Sequence, residues 1–413
     1  MQDAIKIALE KNIDIIRAKN TSQIQSANVT TAYGGLLPEV NASASFSRSA
    51  TYYPATFFNP AGVSATNNVG ASLNTNVTLF DGFRNTSTIS RASSSADAAG
   101  YDYEKRKQDI VLAVQQAYLT VLRNNQLLKV SEDNLKRSQQ QLSRIEESNK
   151  VGAVAKADVY RQQVQTANDE LLLINAQSNY DNSKADLLYL ISVDVTTEYH
   201  FEDPSVLQQI ESLNFDSLQQ EYSDYNTLIQ EALDSRPDYK SSILAKNIAE
   251  NNLTIARSGH YPRLSLGGSY GLRSNEFSTI ADTKNWNLGL TLSVPIFSGF
   301  QTSTQVQTSQ LDLELAQQTL EQAKRKVSKD LKTSLLNLET GRKRYDVAIK
   351  TVRSAEEDRR IAEERYNLGA NTLLDLLVAT ANYTQALSGK VNASYDFVYA
   401  KQQFKVVIGK EKY

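Results

Sequence analysis

Apolar and polar residues alternate along four stretches of the chain. Val40, Ala42, Ala44 and Phe46 interleave with Asn41, Ser43, Ser45 and Ser47, and Val69, Ala71, Leu73, Val77 and Leu79 interleave with Gly70, Ser72, Asn74, Asn76 and Thr78. Further on, Leu264, Leu266, Tyr270 and Leu272 are set against Arg263, Ser265, Ser269 and Arg273. The fourth stretch sets Trp286, Leu288, Leu290, Leu292, Val294 and Ile296 against Asn285, Asn287, Thr291 and Ser293. A period of two is the strand signature, so each stretch predicts a β-strand with one apolar and one small-polar face. Thr51 to Asn68 and Asn275 to Lys284 are rich in turn-forming and small polar residues, and read as exposed loops closing two hairpins.

Elsewhere the period is helical. From Asn85 to Asn149 there is no proline and the only glycine is Gly100; from Thr302 to Asn367 the only glycine is Gly341. Apolar residues recur at Tyr103, Ile110, Val114, Ala117, Val121 and Leu128. They recur again at Val306, Leu313, Leu320 and Val327, then at Leu331, Leu335, Leu338, Tyr345, Ile349 and Val352. This heptad-like spacing predicts two helices of roughly 65 residues, each ~98 Å long at 1.5 Å per residue, with a narrow buried seam and a wet surface. Shorter helices are predicted near 2–32, 154–191, 226–257 and 372–408. Placed end to end, each pair of short helices matches one long helix, which favours a cylinder of helices over a solid rod.

The pattern occurs twice. Ala8-Leu9 returns as Ala232-Leu233, and Leu37-Pro38 is echoed by Tyr261-Pro262, both at an offset of 224. Phe80-Asp81-Gly82-Phe83 returns as Phe297-Ser298-Gly299-Phe300 at an offset of 217, which also carries Val151-Gly152-Ala153 onto Leu368-Gly369-Ala370, Asp158 onto Asp375 and Leu190-Ile191 onto Val407-Ile408. An internal tandem duplication is the expected origin, with the seven-residue surplus of the first copy placed in its strand-joining loop. The first repeat is 1–192 (helix, hairpin at 37–80, long helix at 85–149, returning helix at 154–191). A linker at 193–225 bears Asp203-Pro204 and is expected to pack outside the cylinder. The second repeat is 226–413 (helix, hairpin at 262–297, long helix at 302–367, returning helix at 372–408).

Composition narrows the function. Among 413 residues, 44 basic and 46 acidic side chains leave a formal charge of -2, which speaks against a polybasic nucleic-acid binder. The absence of cysteine excludes disulfides, thiolate nucleophiles and Cys-ligated zinc. His200 and His260 have no metal-ligand spacing and no Gly-rich phosphate loop follows a strand, so neither enzyme, metal site nor cofactor is expected. Met1 opens an amphipathic stretch, so the chain reads as a mature or trimmed form. No run of about 18 apolar residues offers a spanning helix, which leaves the β-barrel as the membrane route. The strands are long enough for one, and Phe80, Phe83, Trp286, Phe297 and Phe300 lie near strand ends, as interfacial aromatics would. One sheet of a soluble sandwich also alternates in this way. Four strands cannot close a barrel, since about eight is the smallest common closure, so several chains must contribute.

Together the duplication, the Leu37-Pro38 and Tyr261-Pro262 strand starts, the two Phe-x-Gly-Phe segments and the segments Val151–Val159 and Tyr366–Leu376 resemble the TolC-type outer-membrane efflux proteins over essentially the whole length. The resemblance implies a mixed α and β membrane protein: a homotrimer whose four strands per chain build a 12-stranded transmembrane β-barrel in outer-membrane lipid, continued by long antiparallel helical hairpins as an α-barrel tunnel through the periplasm of a Gram-negative bacterium. A periplasmic membrane-fusion adaptor and an inner-membrane RND or ABC-type pump are the implied partners, and tripartite efflux the implied function.

It further implies a gate at the hairpin tips. Gly152 and Gly369 stop the long helices, and Val151, Leu368, Ala153 and Ala370 beside them fall in the segments expected to dock the adaptor. Asp158 is expected to accept a hydrogen bond from Tyr366 as a latch; as a carboxylate in a first helical turn it also has a plain dipole-stabilising reading, worth ~0.3 to 1 kcal/mol. Asp375 matches an aspartate that faces the constriction, where three copies would form an acidic ring. Asn371 stands where the family has a latch arginine, Ala157 where it has the threonine partner and Val378 where it has a second aspartate. A looser resting gate follows, with Lys156 pairing a nearby carboxylate. Remaining carboxylates read as helix-face partners, such as Glu356 with Arg360. Two alternatives stay open: the outer-membrane conduit of a type I protein secretion system, and a structural coiled-coil fibre with a β-rich head.

Overall fold

The computed structural model describes residues 1–203, 206 and 225–410. The expected linker at 193–225 therefore lies largely outside the described residues, Pro204 included. Among the described residues the elements are α1 (Gln2–Lys11), α2 (Ile13–Gly34), β1 (Glu39–Tyr53), β2 (Gly62–Phe80), α3 (Arg84–Lys150), α4 (Lys156–Leu190), α5 (Tyr225–Ser235), α6 (Pro237–Arg257), β3 (Arg263–Ser274), β4 (Lys284–Ser293), α7 (Gln301–Asn367) and α8 (Leu373–Val407). Helices α3 and α7 both have 67 residues, and α4 and α8 both have 35, starting 217 positions apart in each pair. Left-handed backbone recurs at the same offset: Gly82 and Gly299, Phe83 and Phe300, Gly152 and Gly369, Ser192 and Gly409.

Two helices expected as continuous are broken. Asn12 separates α1 from α2; its side-chain oxygen accepts the Asp14 amide at 2.9 Å and its Nδ2 donates to the Leu190 carbonyl at 2.9 Å. A short amide that caps the next helix competes with the helical ladder. Arg236 occupies the corresponding break between α5 and α6, where Pro237 cannot donate a helical hydrogen bond. There Ser235 Oγ donates to the Ile408 carbonyl at 3.1 Å, so each break is tied to the end of a returning helix.

The chain divides into two compact units, one formed by 1–19, 101–240 and 322–413, the other by 20–100 and 241–321. In the first unit, Ala4, Ile5 and Ala8 of α1 pack with Ile110, Val111 and Val114 of α3, Leu187 and Leu188 of α4, and Tyr395 and Val398 of α8. A second cluster joins Leu228, Leu331, Leu338, Phe397 and Phe404. Gly341, the one glycine of α7, belongs to this packing, since a Cβ there would sit 3.3 Å from the Phe397 ring. Much of the predicted seam is buried, including Ile110, Val114, Val121, Leu128, Val327, Leu331, Leu338 and Tyr345; Ile349 is exposed.

The second unit holds a four-stranded antiparallel sheet in the order β1-β2-β3-β4. Its register aligns the alternation of all four strands. Phe46 pairs with Val69 and Ala42 with Leu73; Leu73 pairs with Tyr270 and Val77 with Leu266; Tyr270 pairs with Trp286 and Leu266 with Leu290. Paired residues share a face, so one side is mainly apolar across the sheet, with Thr75 within it and Arg48, Asn67 and Lys284 toward its loop end. The other carries Ser43, Ser72, Asn74, Ser269 and Asn287. Most of the apolar side is open among the described residues: Trp286, Leu288, Leu290 and Leu292 are 76%, 67%, 63% and 64% exposed, whereas toward the loop end Phe277 stacks on Phe46 at 5.5 Å and Val69 is buried.

Three strand expectations change. The register shifts between Thr78 and Phe80, so that Phe80 faces Leu264 and Leu79 drops out of the alternation. The first loop is only 54–61, because β1 runs to Tyr53 and β2 begins at Gly62, with Ala50 facing Ala65 and Tyr52 facing Val63. The longer first hairpin is therefore expressed as strand rather than loop. Strand β4 stops at Ser293, two residues before Pro295, so Val294 and Ile296 lie outside it.

Candidate functional site

The expected gate and docking residues gather at two helix-to-helix turns, α3 to α4 and α7 to α8. Both use the same stop signal. At the first, Ala153 N donates to Ser148 O at 2.9 Å and Gly152 N to Asn149 O at 2.9 Å; at the second, Ala370 N donates to Arg365 O at 2.8 Å and Gly369 N to Tyr366 O at 2.9 Å. This paired pattern needs a left-handed residue after the helix, and Gly152 and Gly369 supply it at φ 79° and 72°. Val151 and Leu368, one position earlier, are 80% and 83% exposed. Large aliphatic side chains aimed at solvent from a well-ordered turn are available to a partner. Ala153 and Ala370 are exposed beside them.

Behind the turns, Ile145 of α3, Val159 of α4 and Leu373 of α8 form one buried cluster, with Val154, Tyr366 and Leu377 packed on it. Tyr366 also packs against the Ala362, Leu376 and Ala379 cluster, and so lies where the two helical hairpins meet. Its phenol is pushed up, first by burial and then by the Asp158 carboxylate. Its hydroxyl makes no hydrogen bond among the described residues. Asp158 accepts instead from Arg161 Nη1 at 2.6 Å on its own helix.

Asp375 is held differently. Thr372 caps α8: its Oγ1 accepts the Asp375 amide at 3.2 Å, while an Asp375 carboxylate oxygen accepts from Thr372 N at 3.0 Å and Thr372 Oγ1 at 2.7 Å. These bonds, side chain first and then backbone, hold the Asp375 carboxyl below the usual carboxylate range, with Arg365 assisting. The spacing Thr372-x-x-Asp375 is a capping-box signal legible in the sequence, and it gives Thr372 a role that the family pattern alone does not supply. Helix α4 starts from Ala155, which has no such side chain.

Of the remaining expected residues, Val378 is 52% exposed, Ala157 is exposed, and Asn371 makes no side-chain hydrogen bond among the described residues. Lys156 does not meet a carboxylate; its ammonium lies 5.7 Å from the centre of the Tyr160 ring. Arg360 pairs with Glu357 and Glu364 rather than Glu356. At the sheet ends, Phe80 meets Phe83 edge to face at 5.7 Å and Phe297 meets Phe300 at 5.5 Å. Trp286 stands on the apolar face near the start of β4. His200 and His260 are exposed. No helix among the described residues is long and apolar enough to cross a membrane.

The comparisons agree with one another. The family model for outer membrane efflux proteins matches residues 4–192 and 228–410. The chain is 26% identical over 333 residues to the outer membrane protein TolC of Vibrio cholerae, covering 78% of this chain and 72% of that protein. Against TolC of Escherichia coli K12 it is 24% identical over 393 residues, covering 92% and 76%. Its fold superposes on the Campylobacter jejuni CmeC outer membrane channel with a TM-score of 0.84 at 22% identity, covering 99% of this chain and 85% of that one. The chain belongs to the outer membrane efflux protein family, whose members are channels of the outer membrane and not enzymes.

Proposed function

We propose that three copies of this chain, products of one internal duplication, form a passive conduit. Four strands from each close a 12-stranded barrel in lipid, and the helical hairpins of each line a periplasmic tunnel. The sheet carries this reading: its mainly apolar face runs in register over four strands, is largely exposed among the described residues, and is opposed by a face rich in serine, asparagine and glycine suited to a water-filled lumen. A charge at the lipid face costs about 2–4 kcal/mol near the bilayer midplane, which accounts for the absence of charge at Leu288, Leu290 and Leu292.

The conduit has no chemistry of its own, so an inner-membrane pump supplies the energy through a periplasmic adaptor seated on the exposed Val151 and Leu368 turns. Tyr366 and Asp158 form the latch of the resting gate when the carboxylate changes partner from Arg161 to the phenol, and three Asp375 side chains mark the constriction. The test is single-channel conductance of the purified trimer in a planar bilayer. Asp158→Ala is expected to raise the resting conductance; a wild-type pore that is nearly closed and unaffected by the substitution removes the latch. A chain that stays a water-soluble monomer without detergent removes the conduit itself.

A further inference from the structure

Helices α3, α4, α7 and α8 line a partly open cavity of about 390 Å³ that the channel reading does not use. Its wall carries Arg137 and Arg144 from α3, Arg359 from α7, and the carboxylates of Asp169 and Glu363. Glu363 serves two of the cations, Arg359 at 2.9 Å and Arg144 at 3.6 Å. Asp169 is 3% exposed and already held by Asn134 Nδ2 at 2.8 Å and Gln165 Nε2 at 3.0 Å. Arg137 is left with no acceptor among the described residues. Its Nε and Nη2 are both buried and unpaired, as are Arg359 Nε and the carbonyl oxygen of Gln162. Arg137 and Arg359 moreover approach the same ring, 5.9 and 5.3 Å from the centre of Tyr383, so two like charges converge there.

The two unpaired nitrogens of Arg137 form one edge of the guanidinium, whose parallel N–H bonds match the two oxygens of a carboxylate or phosphate. Elsewhere in this molecule that edge is used: Arg236 places Nε and Nη2 on the two oxygens of Asp238 at 3.0 and 2.7 Å. Arg137 has the same fork and no oxyanion. Burying charged donors without acceptors is costly, and water does not reach these two nitrogens where they lie. To receive an occupant, that edge would turn about the terminal torsions of this long side chain toward the cavity that Arg137 lines. The cavity has room for a small oxyanion and several waters, at about 30 Å³ per water.

We infer that this cavity is an oxyanion site, with Arg137 as its fork and Arg359 as the second positive charge, taking inorganic phosphate or a small carboxylate. An occupant would link the two helical hairpins. The test reads anion binding through the stability of the protein itself, so it does not depend on conduction. Thermal unfolding of the detergent-solubilised full chain would be followed during titration with phosphate, with acetate and with chloride at matched ionic strength. A saturable stabilisation by phosphate or acetate beyond that of chloride is expected, the more effective ion naming the source. Arg137→Met should abolish it without lowering the melting temperature in anion-free buffer, since the substitution removes an unpaired cation. Arg137→Lys should weaken it about tenfold by replacing the fork with a point charge. Equal responses to all three ions, or an undiminished response in both variants, overturn the site.

Discussion

The two hairpin tips share a backbone and differ in one capping residue, and that difference separates a carboxylate bonded to its own helix cap from one paired with an exposed arginine. Both turns end on the same paired hydrogen bonds, both place glycine in the left-handed region and both expose an aliphatic residue. Position 372 is threonine, however, and its counterpart 155 is alanine. With threonine, the aspartate three residues on folds back onto its own helix start. With alanine, it is left to the exposed guanidinium of Arg161, a partner it can exchange. One hydroxyl thus separates the two tips: Asp375 is tied to its own helix start, while Asp158 is held by an exposed arginine.

The largest expected effect tests the shared part. A side chain forced into left-handed backbone costs roughly 1–2 kcal/mol, so Gly152→Val and Gly369→Val should each lower the unfolding free energy by that amount and by similar increments. A large difference between them would break the likeness of the tips. Next comes the hydroxyl. Thr372→Ala should cost about 1 kcal/mol in thermal unfolding, and Ala155→Thr should stabilise on the same scale while drawing Asp158 from Arg161. If Ala155→Thr leaves both stability and the Asp158 contact unchanged, the cap is not what distinguishes the tips.

The third effect is in pH. Because the folded-state pKa of Asp375 is depressed, its contribution is complete above the ordinary carboxylate value of 3.8 and is lost as pH falls through the lower folded value. Acid titration of stability should therefore show a wild-type loss below that value which Asp375→Asn lacks. Smallest is Arg161→Ala, at under about 0.5 kcal/mol, since the pair is exposed at the surface. Its informative readout is conductance, where freeing Asp158 for Tyr366 should tighten the resting gate.

Several of these features are legible in the amino-acid order. Strand faces are, because residues two apart share a side and the alternation of apolar and polar positions records it. Helix ends at the tips are, because Gly152 and Gly369 follow long runs with no proline and a single glycine each. The break at Asn12 is not, since a single asparagine in a helical pattern shows its capping role only once Leu190 is beside it. The true loop of the first hairpin is hidden as well, because the polar face of the sheet is built from the same serines, threonines and asparagines that make loops. At the tips, Thr372-x-x-Asp375 states its hydrogen bonds in three-residue spacing, whereas Arg161 as partner of Asp158 depends on rotamers that spacing does not fix.

The longer first hairpin has a mechanical consequence. Beyond Val69, the last β2 residue that meets β3, residues 62–68 pair with β1 alone, carrying a two-stranded ribbon about 24 Å further at 3.4 Å per residue. Such a ribbon has little to brace it, and it ends in Phe57 and Phe58, 97% and 90% exposed. It is a prong rather than a wall, a place where an epitope tag spliced beside Asn59 should leave the rest of the molecule undisturbed.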